Sequence, residues 1–386
     1  MNWYYNKYVY SIGHAYLYKE GGDKMYDSFP TPAVVIDLDQ VDRNIIKMVE
    51  SNNKYGINHR PHIKSHKSLF IAKRQLELGA QGITCAKLGE AEVMVDGGIT
   101  DILIAYPIIG QDKIERLSRL MDRANIVTIV NSEEGAKALS QLGQSKGKKI
   151  AVLIDVDGGI NRGGHKPLEP TLKFAQKIRD LKGIDIVGLM YYSGIIYNEV
   201  TKEGFEDKAK LERDEIINTA KLLEKHGFNM SVLSAGNSFS SKMPHLLEGV
   251  TEVRAGHYVF NDCGQLLTGF ATEDECALKV ISTVVSVVDS HHAIIDAGSK
   301  SLTSDTCLHR KGYGYVVGRP DIYISQLNEE HGFIESEKEI GLQVGDKIAI
   351  IPNHACVVTN LVDEAYGVRN GQLEKMIKID ARGKNQ

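Results

Sequence analysis

The sequence predicts an α/β protein, a (β/α)8 barrel of the TIM type followed by a separate antiparallel β-domain. Three observations predict it. From residue 33 short β-branched runs alternate with longer stretches of helical period, the pattern of parallel strands with crossover helices. After residue 265 the helical stretches fade, and strands follow one another across short turns. No G-x-G-x-x-G follows the first strands, which argues against an open doubly wound sheet.

The elements follow in order. "AVVIDLD" (33–39) comes first and is set aside from the barrel count. The barrel strands expected are "INHRPHIK" (57–64), "GITCAKL" (82–88), "DILIAYP" (101–107), "NIVTIVN" (125–131), "KIAVLIDVD" (149–157), "DIVGLMYYS" (185–193), "MSVLSAGN" (230–237) and "TEVRAGHYV" (251–259). Eight strands in roughly 200 residues is the arithmetic of a closed barrel. Helices are expected between most of them, at 67–79, 89–96, 132–146, 168–182 and 202–227. Beyond the barrel, "CALKVISTVVSVVDS", "HAIIDAGSK", "GYGYVVG", "DIYISQLN", "HGFIES", "DKIAIIPNHACVVTN" and "EAYGVRN" read as strands. The expected division is a barrel over 28–265 and a β-domain over 266–386, to which the tyrosine-rich residues 1–27 add a strand.

Bulk properties exclude several classes. The 386 residues are 42 % apolar and 25 % charged, ordinary for a soluble globular chain. Net charge is −4, from 46 basic and 50 acidic residues, so no broad basic face for nucleic acid is expected. No apolar run approaches the roughly 20 residues that span a bilayer, and the N-terminus lacks the apolar core of a signal peptide. The five cysteines (85, 263, 276, 307, 356) are odd in number and scattered, which points to reduced thiols in a cytoplasmic compartment.

One octet stands out, "RPHIKSHK" (60–67). A run this basic is usually a solvated turn. Active residues of a barrel, however, gather at the C-terminal ends of its strands. Lys64 is expected as the last residue of the first barrel strand, where a neutral amine can attack a carbonyl, so it is the candidate Schiff-base lysine. Lys67 reads as a helix-surface charge. A second signal is "PNHACVVTN" (352–360). On a strand, His354 and Cys356 leave the same face, and an imidazole with a thiolate suits Zn²⁺. Alone, an H-x-C is more often a buried thiol.

The stretches "TPAVVIDLDQVDRNI" (31–45), "RPHIKSHK" (60–67), "GITCAKLGEAEVMVDGGITDILIAYP" (82–107) and "DVDGGINRGG" (155–164) resemble the fold-type III pyridoxal-phosphate enzymes, whose barrel is alanine racemase-like. The branch they resemble most is that of D-threonine aldolase and eukaryotic-type D-serine dehydratase. The resemblance runs from about residue 28 to the end. It implies pyridoxal 5'-phosphate on Lys64, Arg162 beside the cofactor ring, and Tyr192 near the pyridine nitrogen. It implies a phosphate seat after the last two barrel strands, where "LSAGNSFSS" (233–241) offers Ser234, Gly236, Asn237 and Ser238 and "RAGHY" (254–258) offers Gly256, His257 and Tyr258. Glycine-rich turns and helix N-termini supply such seats with backbone N–H groups. Both turns depart from the family's pattern there, and Ser193-Gly194-Ile195 lacks the histidine often found after the tyrosine. D-serine dehydratases resemble this chain in having His-x-Cys as a zinc site; Mn²⁺ or Mg²⁺ would be alternatives. Two protein ligands leave an open, catalytic coordination shell. "IDAGSKSLTSD" (295–305) and "EEHG" (329–332) resemble turns at the active-site mouth, and His331 is expected near the substrate.

The resulting expectation is a lyase acting on a D-3-hydroxy amino acid. β-Elimination of D-serine to pyruvate and ammonia leads, and retro-aldol cleavage to glycine and an aldehyde is the alternative. An amino-acid racemase and a non-catalytic pyridoxal-phosphate-binding protein are the rivals. A homodimer is expected from the resemblance, with no nucleic-acid or membrane partner.

Overall fold

The computed structural model describes residues 26–386. Seventeen strands are present among them: β1 (Ala33–Asp37), β2 (Asn58–His59), β3 (Ile83–Cys85), β4 (Asp101–Pro107), β5 (Asn125–Val130), β6 (Ile150–Asp157), β7 (Ile184–Tyr192), β8 (Val232–Ala235), β9 (Glu252–Val253), β10 (Leu278–Asp289), β11 (His292–Ile295), β12 (Tyr315–Val316), β13 (Ile322–Leu327), β14 (Gly332–Ser336), β15 (Lys347–Ile351), β16 (Glu364–Arg369) and β17 (Gln372–Lys378). The helices are α1 (Leu38–Asn53), α2 (Leu69–Glu77), α3 (Leu88–Asp96), α4 (Gln111–Met121), α5 (Glu133–Ser145), α6 (Glu169–Ile178), α7 (Lys202–Lys225), α8 (Cys263–Leu267), α9 (Ser299–Leu302) and α10 (Ala355–Thr359).

Eight strands pair in parallel in the order β2-β9-β8-β7-β6-β5-β4-β3. The first and last of that order meet at the parallel bridge His62↔Thr84, where the Thr84 N–H donates to Pro61 O at 2.8 Å, so the sheet curls into a cylinder. The strands are buried on both faces, which is why they read as continuous apolar runs. Leu103, Ile129, Leu153 and Met190 cluster on the inner face, while Ile102, Ile126, Val152 and Ile154 pack with the helices. Side-chain oxygens of Asp37, Ser132 and Thr201 cap α1, α5 and α7 by accepting the N–H of Gln40, Gly135 and Gly204. Between β8 and β9 the chain makes only 3-10 turns, Ser240–Lys242 and Pro244–Leu246. Helix α1 braces them, with Asn52 Nδ2 donating to Ser241 O at 3.0 Å. No helix among the described residues is long and apolar enough to cross a membrane.

The second sheet runs β13-β14-β11-β10-β1-β16-β17, with β15 paired to both β10 and β12. Here the structure corrects the expected division at residue 28. Strand β1 is antiparallel to β10 and parallel to β16, so it belongs to the β-domain sheet and not to the barrel. Its run Ala33–Ile36 is buried throughout, and only a central position with two neighbours buries such a strand. The strand expected in the tyrosine-rich N-terminus lies outside the described residues.

Two strand expectations are also corrected. The run 57–64 is a strand only at Asn58–His59, keeps the single bridge at His62 and then turns through the 3-10 segment Ile63–Ser65, because Pro61 has no N–H for the ladder. Strand β15 stops at Ile351, and His354 caps the short helix α10 in place of a strand. Pro352 again ends the ladder, and the Asn353 side chain accepts from the Gly314 N–H and donates to Asp305 O and Gly312 O, which turns the chain.

Candidate active site

The cations of the octet separate by environment. Arg60 is spent in the barrel, on Asp101 and Glu252, each at 2.9 Å. Lys67, read from the sequence as a surface charge, is instead 5 % exposed, 3.4 Å from Glu90 and 2.7 Å from Asn385 Oδ1. The tail residues Asp380 and Ala381 bind the backbone on either side of it, through Leu69 N–H and Lys67 O. Lys64 sits in the turn beyond β2 and lines a cavity of about 270 Å³ at the C-terminal mouth of the barrel. Its amine makes no hydrogen bond or ion pair among the described residues, so it is free for chemistry in that cavity. The neighbouring His66 is buried, which pushes it down to about 4. Its Nδ1 accepts the Ser68 N–H at 3.1 Å, leaving Nε2–H for Gln75 at 3.2 Å. The turn carrying Lys64 is thereby fixed by a neutral imidazole.

The ends of β8 and β9 form the opposite wall. Gly236 holds a φ of +76°, and a Cβ there would lie 2.5 Å from Val253. A Cβ on Gly256 would lie 2.7 Å from Ser65 Oγ, so Gly236 is needed for the close approach to β9 and Gly256 for that to the lysine turn. Ser238 Oγ accepts the N–H groups of Gly256 and Tyr258, each at 3.2 Å, which leaves its own proton for an acceptor in the cavity. Among the described residues the N–H groups of Ser238 and His257 have no acceptor, and the buried Asn237 Nδ2 is also unpartnered. That donor set fits a phosphate.

Two residues expected at the seat stand elsewhere. Ser234 Oγ is 2.6 Å from both Glu252 Oε1 and Arg254 Nη1, inside the barrel, because it lies within β8 and not past its end. The Tyr258 side chain turns away from the cavity to accept from Gln75 Nε2 at 3.0 Å, and only its backbone serves the seat.

Arg162 and Tyr192 line the cavity together, with the guanidinium 4.7 Å from the ring centroid. Arg254 and Tyr197 are among the lining residues that escaped the sequence reading. Arg254 is buried, and its fork binds Ser234, Ala235 O and Tyr191 O. Tyr197 lies past β7 against Phe239 and His257, at 5.1 and 6.1 Å between centroids. Arg254 stood in the quoted "RAGHY" without a role, and only the cavity identifies it. Nothing in the local pattern of Tyr197 marks it.

The β-domain brings His354 and Cys356 over this cavity on the N-terminus of α10. A third ligand joins them. The ligand atoms of His257, His354 and Cys356 all lie within 4.8 Å of one another. His257 was expected only as a backbone donor; its imidazole belongs to this cluster, and its N–H remains with the seat. Burial pushes His257 down to about 4, the neutral form a metal needs. The Cys356 anion beside it raises His354 well above its ordinary range. Burial pushes the Cys356 thiol up, and the His354 charge with hydrogen bonds from His354 and Ser65 brings it down overall. Buried Asp262 accepts from His354 Nδ1 at 3.0 Å and from the Ala355 N–H at 3.4 Å, so Nε2 is the ring atom left for a metal. Cys356 Sγ lies 3.1 Å from the Oγ of Ser65, the residue after Lys64. Three such N/S donors could hold a divalent metal ion.

His331 is exposed in the turn between β13 and β14 and does not line the cavity, and neither does the 295–305 segment. All five cysteines are free, as the sequence implies.

Residues 36–263 match the family described as alanine racemase, N-terminal domain, and residues 277–368 match the putative serine dehydratase domain. The chain is similar to a D-threonine aldolase of Arthrobacter, 32 % identical over 92 % of this chain and 93 % of the relative. It is similar to a D-threo-3-hydroxyaspartate dehydratase of Delftia, 33 % identical over 84 % of this chain and 90 % of the relative. A crystal structure of that type of dehydratase, a cysteine-to-alanine mutant in the metal-free form, superposes with a TM-score of 0.85 and 29 % identity over 92 % of this chain and 98 % of its own.

Proposed function

The chain belongs to the D-threonine aldolase and D-serine dehydratase family of alanine-racemase-like pyridoxal-phosphate enzymes, and from that premise we propose that it eliminates water from D-serine, giving pyruvate and ammonia. That it is a pyridoxal-phosphate-dependent lyase follows from the family. The choice of elimination is carried by one observation, the His257–His354–Cys356 donor set beside the turn that carries Lys64. Nitrogen and sulfur ligands favour zinc over Mn²⁺ or Mg²⁺.

Pyridoxal phosphate, when bound, withdraws electron density from the substrate's α-carbon. Lys64 would hold it. Ser238, His257 N–H and Asn237 would hold its phosphate, and Tyr192 with Arg162 would flank the ring. The unpaired Lys64 amine is the base available to take the α-proton. A zinc ion on the three ligands would act as a Lewis acid toward the β-hydroxyl, easing its departure. Asp262 keeps His354 in the ligating tautomer. Arg254, tied to three partners on β7 and β8, keeps the cavity floor rigid and positively charged. The reading includes a homodimer; Tyr106 near the end of β4 and Ile109 just past it, 46 % and 49 % exposed, offer apolar surface for a second copy.

Retro-aldol cleavage is the second reading, supported by the similarity to a D-threonine aldolase. A product assay with D-serine, D-threonine and their L-forms, with and without a chelator, tests both. The expected result is pyruvate from D-serine, lost on chelation. Glycine and an aldehyde would establish the second reading. Enantiomer exchange indifferent to chelation would overturn both.

A further inference from the structure

Behind the phosphate seat lies a lysine that the chemistry above does not use. Lys242 ends the 3-10 turn between β8 and β9, and its Nζ donates to Asn261 Oδ1 at 2.8 Å, Gln265 Oε1 at 3.0 Å and Phe270 O at 2.9 Å. An ammonium has three protons, and three neutral oxygens take them all. No carboxylate among the described residues pairs with it. Lys242 is half-buried, and Glu275 and Asp262 attract its charge without an ion pair, so the three hydrogen bonds are what fix its position.

Two of its acceptors lead into the active site. Gln265, gripped through Oε1, donates from Nε2 to Ser238 O at 2.9 Å, and Ser238 gathers the N–H groups of Gly256 and Tyr258. Asn261 holds a φ of +54° in the left-handed region, a conformation that asparagine tolerates and that needs fixing. Its Nδ2 donates to Glu275 O at 2.8 Å. The next residue is Asp262, which orients His354.

We propose that Lys242 is a positioning residue that keeps the cofactor seat and the metal cluster in register, the first through Gln265 and the second through Asn261. The inference rests on the reading of those two sites given above. Its chemistry is that of a tethered monovalent cation, and a compact ammonium suits three converging oxygens better than a planar guanidinium.

The test uses full-length holoprotein. Cofactor release during dialysis is followed by its absorbance, and zinc retention is measured against a competing chelator. Lys242→Met leaves the three oxygens without their cation and should loosen both groups about tenfold or more, as loss of supporting contacts does around metals. Ammonium or potassium chloride should restore retention, and tetramethylammonium chloride at equal ionic strength should not. Gln265→Met cuts only one arm, so it should release cofactor faster while zinc retention stays within about twofold. Lys242→Met protein that holds both groups like wild type overturns the inference, and so does loss without rescue by the small cations. Should Lys242→Met fail to fold, equal loss of both groups in Gln265→Met, or of neither, overturns it. Wild-type protein that takes up neither group sinks the functional reading itself.

Discussion

Removing the Asp262 carboxylate should weaken metal binding in two graded steps. Asp262 is 2 % exposed and accepts two N–H groups, from His354 Nδ1 and from Ala355. Burial pushes its carboxyl up, yet the neighbouring His257 and His354 hold it below its ordinary range, so it is ionised at neutral pH. Asp262→Asn keeps an oxygen in place and removes only the charge. Asp262→Ala removes the acceptor as well, and the His354 ring is then free to turn its Nε2 away. Loss of such a supporting carboxylate costs about 10- to 100-fold in affinity, or about 1.4 to 2.7 kcal/mol. The asparagine variant should fall near the lower figure and the alanine variant near the upper. Competition titration with a chromophoric zinc chelator reads the affinity, and far-ultraviolet circular dichroism verifies that the fold survives. An alanine variant that binds zinc within about twofold of wild type would show that Asp262 does not orient His354 for the metal.

Lys64→Ala should abolish both turnover and the cofactor's visible absorbance band, whereas Cys356→Ala should keep the band and lose chelator-sensitive turnover; a Cys356→Ala protein of unchanged activity removes the metal from the chemistry. Lys67→Met strands the buried Glu90 carboxylate and should destabilise the fold by about 3 kcal/mol, the low end for a broken buried pair, because Glu90 keeps the N–H groups of Ala86 and Lys87. A denaturation midpoint equal to that of wild type would contradict this. Acid should destabilise the protein through its buried histidines. Burial lowers His59 to about 3 and His66 to about 4 in the folded chain, while both take protons near the ordinary value once unfolded. Below pH 6.5 the unfolded state therefore binds more protons, and stability falls as pH drops from 6.5 toward 4. Melting temperatures over that range check it, and a flat profile is the contrary result.

The period of the apolar runs made the barrel legible, because strands buried on both faces alternate with amphipathic helices. The helix expected at 202–227 is observed at Lys202–Lys225 and that at 132–146 at Glu133–Ser145. Partnering was not legible. Nothing in "AVVID" says that its neighbours are Leu278–Ile281 and Tyr366–Val368, since pairing over such separations leaves no local mark. Lys64 was marked by its expected place at the end of a strand and by the family resemblance of its octet, although the strand is shorter than its sequence suggests. His257 was placed for its backbone, and its imidazole was missed as a ligand because the other two lie on the far domain, about a hundred residues away. Lys67 was misjudged because the sequence does not show the C-terminal tail folding over it.

Strand β1 is made early and completed late. Val35 pairs with Tyr366, so at ribosomal speeds the nascent strand waits on the order of tens of seconds for that neighbour. A fragment cut at residue 265 would carry four buried apolar residues with both hydrogen-bonding edges bare, a template for aggregation. The polypeptide thus ties residues 33–37 to residues 364–369 in one cooperative unit, and a cut that removes either strand should yield inclusion bodies before it yields a smaller enzyme.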